Sequence, residues 1–476
     1  MELPTTVESC HVLIRNLLSI IEHQQKQIDE LTSRVADLEA RLNQNSGNSS
    51  RPPSSDGLKR KPGIPKVPKG HGGQKGHKGN TLRKVERPDH TVRLTTPVCG
   101  CGLPLDAESG EVEQTYQVFD LPQPKLEVTE YQRIRQRCAC GREHLGVLPD
   151  GINASVQYGP GVRALTVLLN NSCQISHEKV SSLFFDLFGY DLNESTVVSN
   201  NTLAYERLET TENGIKESLV NEEVGHFDES GIKVGIKLKW LHTVCSRLFT
   251  YLFVSEKRGG KAHQTEASIL PRFKNWAVHD CYGTYFKFDN CRHALCNPHI
   301  LRELQAQVEQ GKLWAQDLQA FLLELFQKSE KGTKTVANIA AEKEKWLKMC
   351  KGAIQIEELL LPQKPPPEVG QKKKRGRRAR GKALSLLDRL VLHSDAVLAF
   401  AEYDVVPFSN NQAERDIRPV KTKQKVAGCF RTVEGAERYA RIQGFISTCR
   451  KHQLNVFKEL RALCSTADLY VAPFRC

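Results

Sequence analysis

The hydrophobic and polar positions of the first forty residues repeat with a heptad spacing. Apolar side chains recur in alternating steps of three and four residues, and only Gln24 interrupts the seam. The apolar members of the seam are Ile14, Leu17, Ile21, Ile28, Leu31, Val35, Leu38 and Leu42. This spacing predicts a coiled coil over residues 1–45 that joins copies of the chain into a homo-oligomer. An amphipathic helix packed on its own chain is the alternative.

Periodicity then breaks over residues 46–90, which are dominated by Gly, Pro, Ser and Asn. Such a composition buries too little apolar surface to offset chain entropy, so it predicts a flexible linker. Between Arg51 and Arg87 the segment carries eleven Lys or Arg against Asp56 and Glu86. A tether that follows a DNA backbone is one interpretation, and a solvated spacer without a function is the other.

Two close cysteine pairs stand in the next segment, residues 91–150. One residue separates Cys99 from Cys101, and one separates Cys138 from Cys140. Four thiolates in two pairs suit tetrahedral zinc, although the usual zinc knuckle spaces each pair by two residues or more. We expect a small zinc-finger-like segment here. Two histidines offer alternative ligands, His90 and His144.

Residues 155–215 change to a helical spacing of apolar side chains. Pro160 suits the first turn of one helix, Gly189 ends a second, and Asn193 starts a third. Three short helices with a glycine turn predict either a helix-turn-helix that reads DNA or an ordinary helical packing unit.

From residue 222 the pattern changes to strands. The segments EVGHFDESGIKV, LKWLHTVCS and LFTYLFVSEKR predict three consecutive strands, KAHQTEASIL a helix, and NWAVHD a fourth strand. Asp228 lies within the first strand, and Asp280 ends the fourth. A carboxylate among apolar strand residues is costly to bury unless it is paired or metal-bound. We therefore expect neighbouring strands to bring the two acids together. The alternative for either acid, taken by itself, is a position in a solvated turn or a cap.

A third acid stands on a later helix, predicted for SNNQAERDIRPVKTKQKV. Ser409 and Gln412 have the spacing of a capping box, and Pro419 predicts a kink. Glu414 shares its helical face with three cations, Arg418, Lys421 and Lys425. These cations are candidates for DNA phosphate contacts. A structural ion-pair ladder is the alternative, because Glu414 and Arg418 are four residues apart.

Between Asp280 and this helix, residues 300–400 have a helical pattern that QKPPPEVGQKKKRGRRARGK interrupts. Eight of the twelve residues 371–382 are basic. We favour a mobile loop that binds DNA phosphates over an exposed loop without a role here. The six candidates at its centre are Lys372, Lys373, Lys374, Arg375, Arg377 and Arg378.

The overall charge agrees with a polyanionic partner. Sixty-eight basic residues against 55 acidic ones give a net charge of +13, which favours nucleic acid although a merely basic protein is the alternative. No apolar run is long enough to span a membrane, and the first residues lack a secretory signal, so we expect the cytoplasm. Fifteen cysteines there indicate metal ligands and reduced core thiols instead of a disulfide framework.

Blocks along almost the whole chain resemble the DDE transposases of the insertion-sequence sixty-six family (IS66-like, TnpC-type). NSSRPPSSDG with GGQKGHKGN is similar to the family linker, and HFDESG with WLH to the segment of its first catalytic Asp. VHDCYGTY followed by HALCNPHILREL resembles the second, and Cys296 with His299 resembles the Cys-x-x-His element that many DDE transposases carry there. NNQAERDIRPVKTKQKVAGCFRT with GAERYARIQGFISTCRK, the longest and most specific block, resembles the closing Glu segment.

The resemblance implies an α/β fold with a ribonuclease-H-like catalytic core formed by residues 220–300 and 400–450. A helical insertion over 300–400 precedes the final helix, and residues 451–476 form a C-terminal segment. It further implies that Asp228, Asp280 and Glu414 hold two Mg²⁺ or Mn²⁺ ions, with Asp228 bridging both.

The function implied is cleavage of double-stranded DNA at transposon ends and transfer of the freed strand into target DNA. The expected partners are DNA, further copies of the chain and, as an open alternative, accessory proteins, and the expected location is the nucleoid. Two other classes stay open. One is a transposase-derived DNA-binding protein that no longer cuts, and the other is a zinc and coiled-coil scaffold.

Overall fold

The computed structural model describes residues 6–49, 82–106, 108, 110–332, 334–360, 380–465 and 470–474. It begins with helix α1 (Val7–Leu42), which is 36 residues long. The apolar seam of α1 is exposed to solvent, with Ile14 at 52% and Leu38 at 56% of their full exposure. The predicted helix is therefore present, and its pairing with a second copy stays a prediction. Most of the predicted linker, and the basic loop at residues 372–378, lie outside the described residues.

A short hairpin follows, with strands β1 (Arg135–Arg137) and β2 (Glu143–Leu145) paired antiparallel. The turn of this hairpin contains Cys138 and Cys140, the second of the two cysteine pairs.

The three helices predicted for residues 155–215 are confirmed. They are α2 (Pro160–Val167), α3 (His177–Phe188) and α4 (Glu194–Arg207), and α5 (Glu209–Asn221) continues the series. Gly189 ends α3 in the left-handed conformation at φ 70°, and the Asn193 side chain accepts a hydrogen bond from Ser195 N at the start of α4. Both signals were readable from the sequence because each acts within its own turn.

A mixed five-stranded sheet forms the centre of the next unit. Its strands are β3 (Val224–Val234), β4 (Lys237–Cys245), β5 (Thr250–Ser255), β6 (Trp276–His279) and β7 (Arg292–Leu295). Their order in the sheet is β5-β4-β3-β6-β7. The first three form the predicted antiparallel meander, whereas β6 runs parallel to β3, and β7 runs parallel to β6.

The helix predicted for KAHQTEASIL is wrong for most of its length. Only the four residues of α6 (Gly260–His263) are helical, and turns follow. The Thr265 hydroxyl donates to Ala262 O at 2.8 Å, and the Ser268 hydroxyl accepts from Leu270 N at 3.3 Å. Hydroxyl side chains that bond to nearby backbone groups compete with a continued helix, which explains the early end.

Among the residues that the structure describes, five helices lie between β7 and the last helices that cover the sheet. They are α7 (Asn297–Val308), α8 (Leu313–Lys328), α9 (Ile339–Leu359), α10 (Gly381–Leu392) and α11 (Ser394–Glu402). Leu304, Leu318 and Trp346 of these helices belong to one buried cluster with Val278 and Ala294 of the sheet. The helical region is therefore packed on the β6–β7 edge. No helix in the described part of the chain combines the length and apolar content that a membrane crossing requires.

Three further helices follow in the described part of the chain, α12 (Asn411–Ala427), α13 (Val433–Lys451) and α14 (Val456–Ser465). Ile417, Val420 and Tyr439 pack on Ile232 and Leu252 of the sheet. The far side of α13 joins α14, α2 and α4 in a further buried cluster. The helices of residues 155–215 thus share a core with the C-terminal part, and the interpretation that they read DNA stays a prediction.

The capping box predicted at Ser409 and Gln412 is wrong. Helix α12 follows Asn410, and no side chain caps its first turn. The Asn410 side chain is instead hydrogen-bonded to the strand β3, so a tertiary contact replaces the local one. The helix continues past Pro419 as a single element to Ala427.

Candidate active site

Asp228 lies on β3, the central strand of the sheet. Alternation along the strand places Phe227 and Glu229 in buried positions and leaves Asp228 partly covered on the other face. Asp228 Oδ1 accepts a hydrogen bond from Glu229 N at 2.9 Å. Burial raises the pKa of Asp228 well above its usual value, and the negative charges of Glu229, Asp280 and Glu414 raise it further. The fold therefore brings the second and third predicted acids close enough to act on Asp228.

Asp280 immediately follows β6, the parallel neighbour of β3. His226 and Val278 are paired in the register of the two strands, so Asp228 and Asp280 stand at equivalent positions two residues further on. Asp280 Oδ1 accepts a hydrogen bond from Tyr282 N at 3.0 Å, which starts the turn after the strand. Parallel pairing thus explains why the two acids meet at the carboxyl end of β6, next to the central strand β3.

Glu414 reaches the same place from the first turn of α12. The start of this helix is fastened by Asn410, whose Nδ2 donates to Phe227 O at 2.7 Å and whose Oδ1 lies 2.8 Å from His226 Nδ1. The Asn410 backbone N–H donates to Cys296 Sγ at 3.1 Å. Because Glu414 N is hydrogen-bonded to Asn410 O at 3.3 Å, these contacts fix the turn that carries the carboxylate.

The Glu414 carboxylate is only partly compensated. Its Oε1 atom is buried and has no hydrogen-bond partner in the described part of the chain. Arg302 Nη2 and His299 Nε2 each lie 3.8 Å from Oε1, which is too long for a hydrogen bond. A buried carboxylate oxygen without a partner is destabilising unless a cation or another donor approaches it. The site therefore has the electrostatic character of a cation-binding site.

Glu229 was not predicted from the sequence as part of this site. It is buried, accepts from Arg258 Nε at 2.8 Å and accepts from the Tyr285 hydroxyl at 2.6 Å. Burial raises the pKa of Glu229, and the charge of Asp280 adds to the rise. Arg258 also lies over the ring of Tyr282, with 4.3 Å between the guanidinium carbon and the ring centroid. These contacts hold β3 against the loop after Asp280. The sequence feature that could have indicated Glu229 is its position next to Asp228 in HFDESG.

Two histidines next to the acids, the partly buried His226 and the fully buried His279, have lowered pKa values. Burial lowers the pKa of His226 to about 4 and that of His279 to about 3. His279 is hydrogen-bonded to the Asp280 carbonyl and, through Nε2, to His293 Nδ1 at 3.0 Å. The His226 ring thus helps to hold Asn410 at the start of α12, and the His279 ring contacts the carbonyl group of Asp280.

Cys296 and His299 also converge on Glu414. One ligand atom from each of the three residues lies within 4.8 Å of the other two, and no other group of three or more such ligands comes as close among the described residues. Burial raises the pKa of Cys296 to about 12 and lowers the pKa of His299. The three carboxylates of Asp228, Asp280 and Glu414 are consequently more widely spaced than this group.

The cations predicted to contact DNA differ in their surroundings. Arg418, Lys421 and Lys425 are all exposed on α12. Lys421 Nζ donates to Gly231 O at 2.7 Å, and burial of the amine lowers its pKa. Lys421 therefore packs its chain against β3 next to Asp228, while the other two cations face solvent. The six basic residues at 372–378 lie outside the described part of the chain.

The two cysteine pairs form equivalent turns. Cys99 N donates to Leu103 O and Gly102 N to Cys99 O, both at 2.8 Å. The second turn repeats the pattern from Cys138 to Arg142, and Gly102 and Gly141 have φ values of 91° and 87°. Hydrogen bonds lower the pKa of one thiol in each turn, Cys101 and Cys138.

Comparison with known families identifies the family of the chain. The model described as "Transposase IS66 family" matches residues 155–438, a range that holds Asp228, Asp280, Glu414 and the helical insertion. The chain therefore belongs to the IS66 transposase family, and the resemblance found in the sequence is confirmed. A second model, described as a family of unknown function (DUF6444), matches residues 2–83. A comparison with curated proteins finds no match.

Proposed function

We propose that the chain is an active DDE transposase that cuts DNA at transposon ends and joins the freed ends to target DNA. The observation that carries the proposal is the convergence of three acids at the carboxyl end of β6. They come from β3, from the residue after β6 and from α12. A sheet of three antiparallel strands continued by two parallel ones, with helices inserted before α12, agrees with a ribonuclease-H-like core. An intact set of acids argues against a derivative that has lost cleavage.

The residues present fit two hard divalent cations. Carboxylate oxygens are the preferred ligands of Mg²⁺ and Mn²⁺, and both Asp228 and Glu414 are acids whose burial calls for a compensating positive charge. Asp228, whose pKa is raised by the charges of both Asp280 and Glu414, would hold the ions together with these two acids. When bound, the ions activate the attacking oxygen and stabilise the departing 3′ oxygen of a phosphodiester.

The chain's own side chains hold the acids and the DNA. Asn410 fixes Glu414 relative to β3, and Glu229 with Arg258 fixes the loop that follows Asp280. Exposed cations of α12, together with the basic residues at 372–378, would contact the DNA backbone without reading sequence. The four thiols of the Cys99 and Cys138 turns do not all lie within 4.8 Å of one another, so the two turns would have to come together to share one zinc ion. The exposed seam of α1 would pair copies of the chain.

The test is cleavage of end-containing DNA in Mg²⁺ by Asp228→Asn. We expect no detectable cleavage and near-normal DNA binding, because the phosphate contacts come from other elements. Asp404→Asn, an exposed acid outside the site, is the matched control and should cut like the parent. Strand cleavage retained by Asp228→Asn would overturn the proposal.

The same variant has a predicted effect on stability in chelator. Because the folded protein raises the pKa of Asp228, it binds that proton more tightly than the unfolded chain does. Stability of the parent therefore falls as pH rises above the ordinary aspartate pKa of about 4, whereas Asp228→Asn escapes this loss. The difference in Tm between variant and parent should grow from pH 4 upward, and a difference that shrinks would contradict the assigned burial of Asp228.

A further inference from the structure

A second and chemically different set of ligands meets at Glu414. Cys296 Sγ, an imidazole nitrogen of His299 and a Glu414 oxygen lie within 4.8 Å of one another. Cys296 precedes the first residue of α7 and His299 lies three residues later, so one turn of chain presents both ligands. Sulfur, nitrogen and oxygen together are typical of zinc-class metals, in contrast to the all-oxygen set of Mg²⁺.

Two buried atoms of this group lack a hydrogen-bond partner among the described residues. Glu414 Oε1 and His299 Nδ1 are both buried without a hydrogen bond from any described residue. A tetrahedral zinc ion, with bonds of about 2.0–2.3 Å, keeps its ligand atoms roughly 3.5 Å apart. The 3.8 Å between His299 Nε2 and Glu414 Oε1 is close to that spacing. A metal ion held by His299 Nε2 would thus give the buried Glu414 Oε1 a partner, whereas His299 Nδ1 would stay unpaired.

The sulfur atom of Cys296 also accepts a hydrogen bond from outside the ligand group. The Asn410 backbone N–H donates to Cys296 Sγ at 3.1 Å, which stabilises negative charge on sulfur. Asn410 is itself held by Phe227 and His226, so the position of the sulfur is fixed relative to β3. Such outer contacts orient metal ligands. Binding of a divalent ion would release the thiol proton to solvent.

We propose that Cys296, His299 and Glu414 bind a zinc-class transition metal ion, and that this ion inhibits DNA cleavage by withdrawing Glu414 from the magnesium site. The inhibition rests on the proposed function, whereas the binding does not. Arg302, whose guanidinium lies 3.8 Å from Glu414, must move away when the metal binds. Its side chain is 28% exposed and has solvent to move into.

Binding is tested with Co²⁺, whose thiolate-to-metal absorption reports cysteine ligation. The purified full-length chain is titrated alongside Cys296→Ala and Cys350→Ala, the latter a fully buried thiol of α9 outside the site. We expect Cys296→Ala to lose one equivalent of cobalt and the corresponding absorption, and Cys350→Ala to keep both. The Cys99 and Cys138 turns contribute equally to all three titrations. Equal stoichiometry in all three proteins would overturn the site.

A second variant covers the case in which Cys296→Ala fails to fold. His299→Gln alters a partly exposed side chain and keeps the thiol. Loss of one ligand should weaken cobalt binding at this site at least tenfold, while the absorption from the other cysteines remains. Unchanged affinity would exclude His299 as a ligand and overturn the proposal.

Inhibition is tested by adding zinc at fixed Mg²⁺ and comparing each protein with its own zinc-free cleavage rate. We expect the parent to be inhibited and His299→Gln to require at least tenfold more zinc for half inhibition. Equal zinc sensitivity would refute the inhibition. If the parent binds cobalt through Cys296 but never cleaves DNA in Mg²⁺, the proposed function fails together with the inhibition, and the metal site stands.

Discussion

A buried ion pair between Asp416 and Lys451 holds the helix of Glu414 in place. Lys451 Nζ lies 2.7 Å from Asp416 Oδ2, and each side chain is 9% exposed. Lys451 also donates to the carbonyl oxygens of Ser246 and Phe249, both at 2.8 Å. Asp416 accepts three further hydrogen bonds at 3.1–3.2 Å, from Gln412, Thr250 and Ser447. The pair therefore connects α12 with β5 and α13, two residues from Glu414.

Asp416→Ala removes the carboxylate and leaves the Lys451 ammonium buried with carbonyl partners alone. Removing one member of a buried, hydrogen-bonded pair costs about 3–5 kcal/mol of unfolding free energy. Each kcal/mol corresponds to roughly 2–4 °C in domains of 150–250 residues. We expect Tm to fall by roughly 10 °C, and cleavage to weaken below Tm because α12 loses its anchor.

Thermal unfolding by calorimetry, with the urea midpoint as a second measure, provides the assay. The control is Glu217→Ala, which breaks an exposed pair of the same length, 2.7 Å to Arg272, with side chains 62% and 47% exposed. It should cost no more than about 1 kcal/mol. The double variant Asp416→Ala with Lys451→Met removes the orphaned charge and should recover part of the loss. A cost for Asp416→Ala no larger than that of the control would refute the reasoning.

Three further predictions concern separate parts of the chain. Arg258→Met leaves the buried Glu229 carboxylate without its cation, so unfolding free energy should fall by about 1–3 kcal/mol and cleavage should decline; unchanged values in both assays would contradict a positioning role. Cys99→Ser combined with Cys138→Ser should lower the zinc content measured by atomic emission by about one ion per chain, and zinc that survives would assign it elsewhere. Deleting residues 1–42 should lower the oligomeric mass measured by light scattering, and an unchanged mass would reject pairing through α1.

The elements that could be predicted are those specified by local chemistry. The meander β3–β5 has the period-two pattern and β-branched content of strands, and Gly189 and Asn193 end and start helices within their own turns. The four-residue strand β7 could not be predicted, because its residues carry too few positions to establish a period. The parallel position of β6 beside β3 also depends on packing that no local pattern specifies.

The errors fall where tertiary contacts replace local ones. Ser409 and Gln412 have the right spacing for a cap, but Asn410 bonds to β3 and sets the start of α12 instead. At the site, Asp228 and Asp280 were proposed from strand positions, and Glu414 was singled out only by resemblance. Glu229 and Asp416 could not be predicted because their hydrogen-bond partners are distant in the sequence. The partners of Glu229 lie 29 and 56 residues away, and Thr250, a partner of Asp416, lies 166 residues away.

The contact between His226 and Asn410 joins residues 184 positions apart in the chain. At a synthesis rate of about 5–20 residues per second, roughly 10–40 s pass between the emergence of β3 and the residue that closes it. During that interval the first two acids are present without Glu414. The order of translation therefore delays activity, because a nascent chain cannot carry out the proposed cleavage until Glu414 has been made.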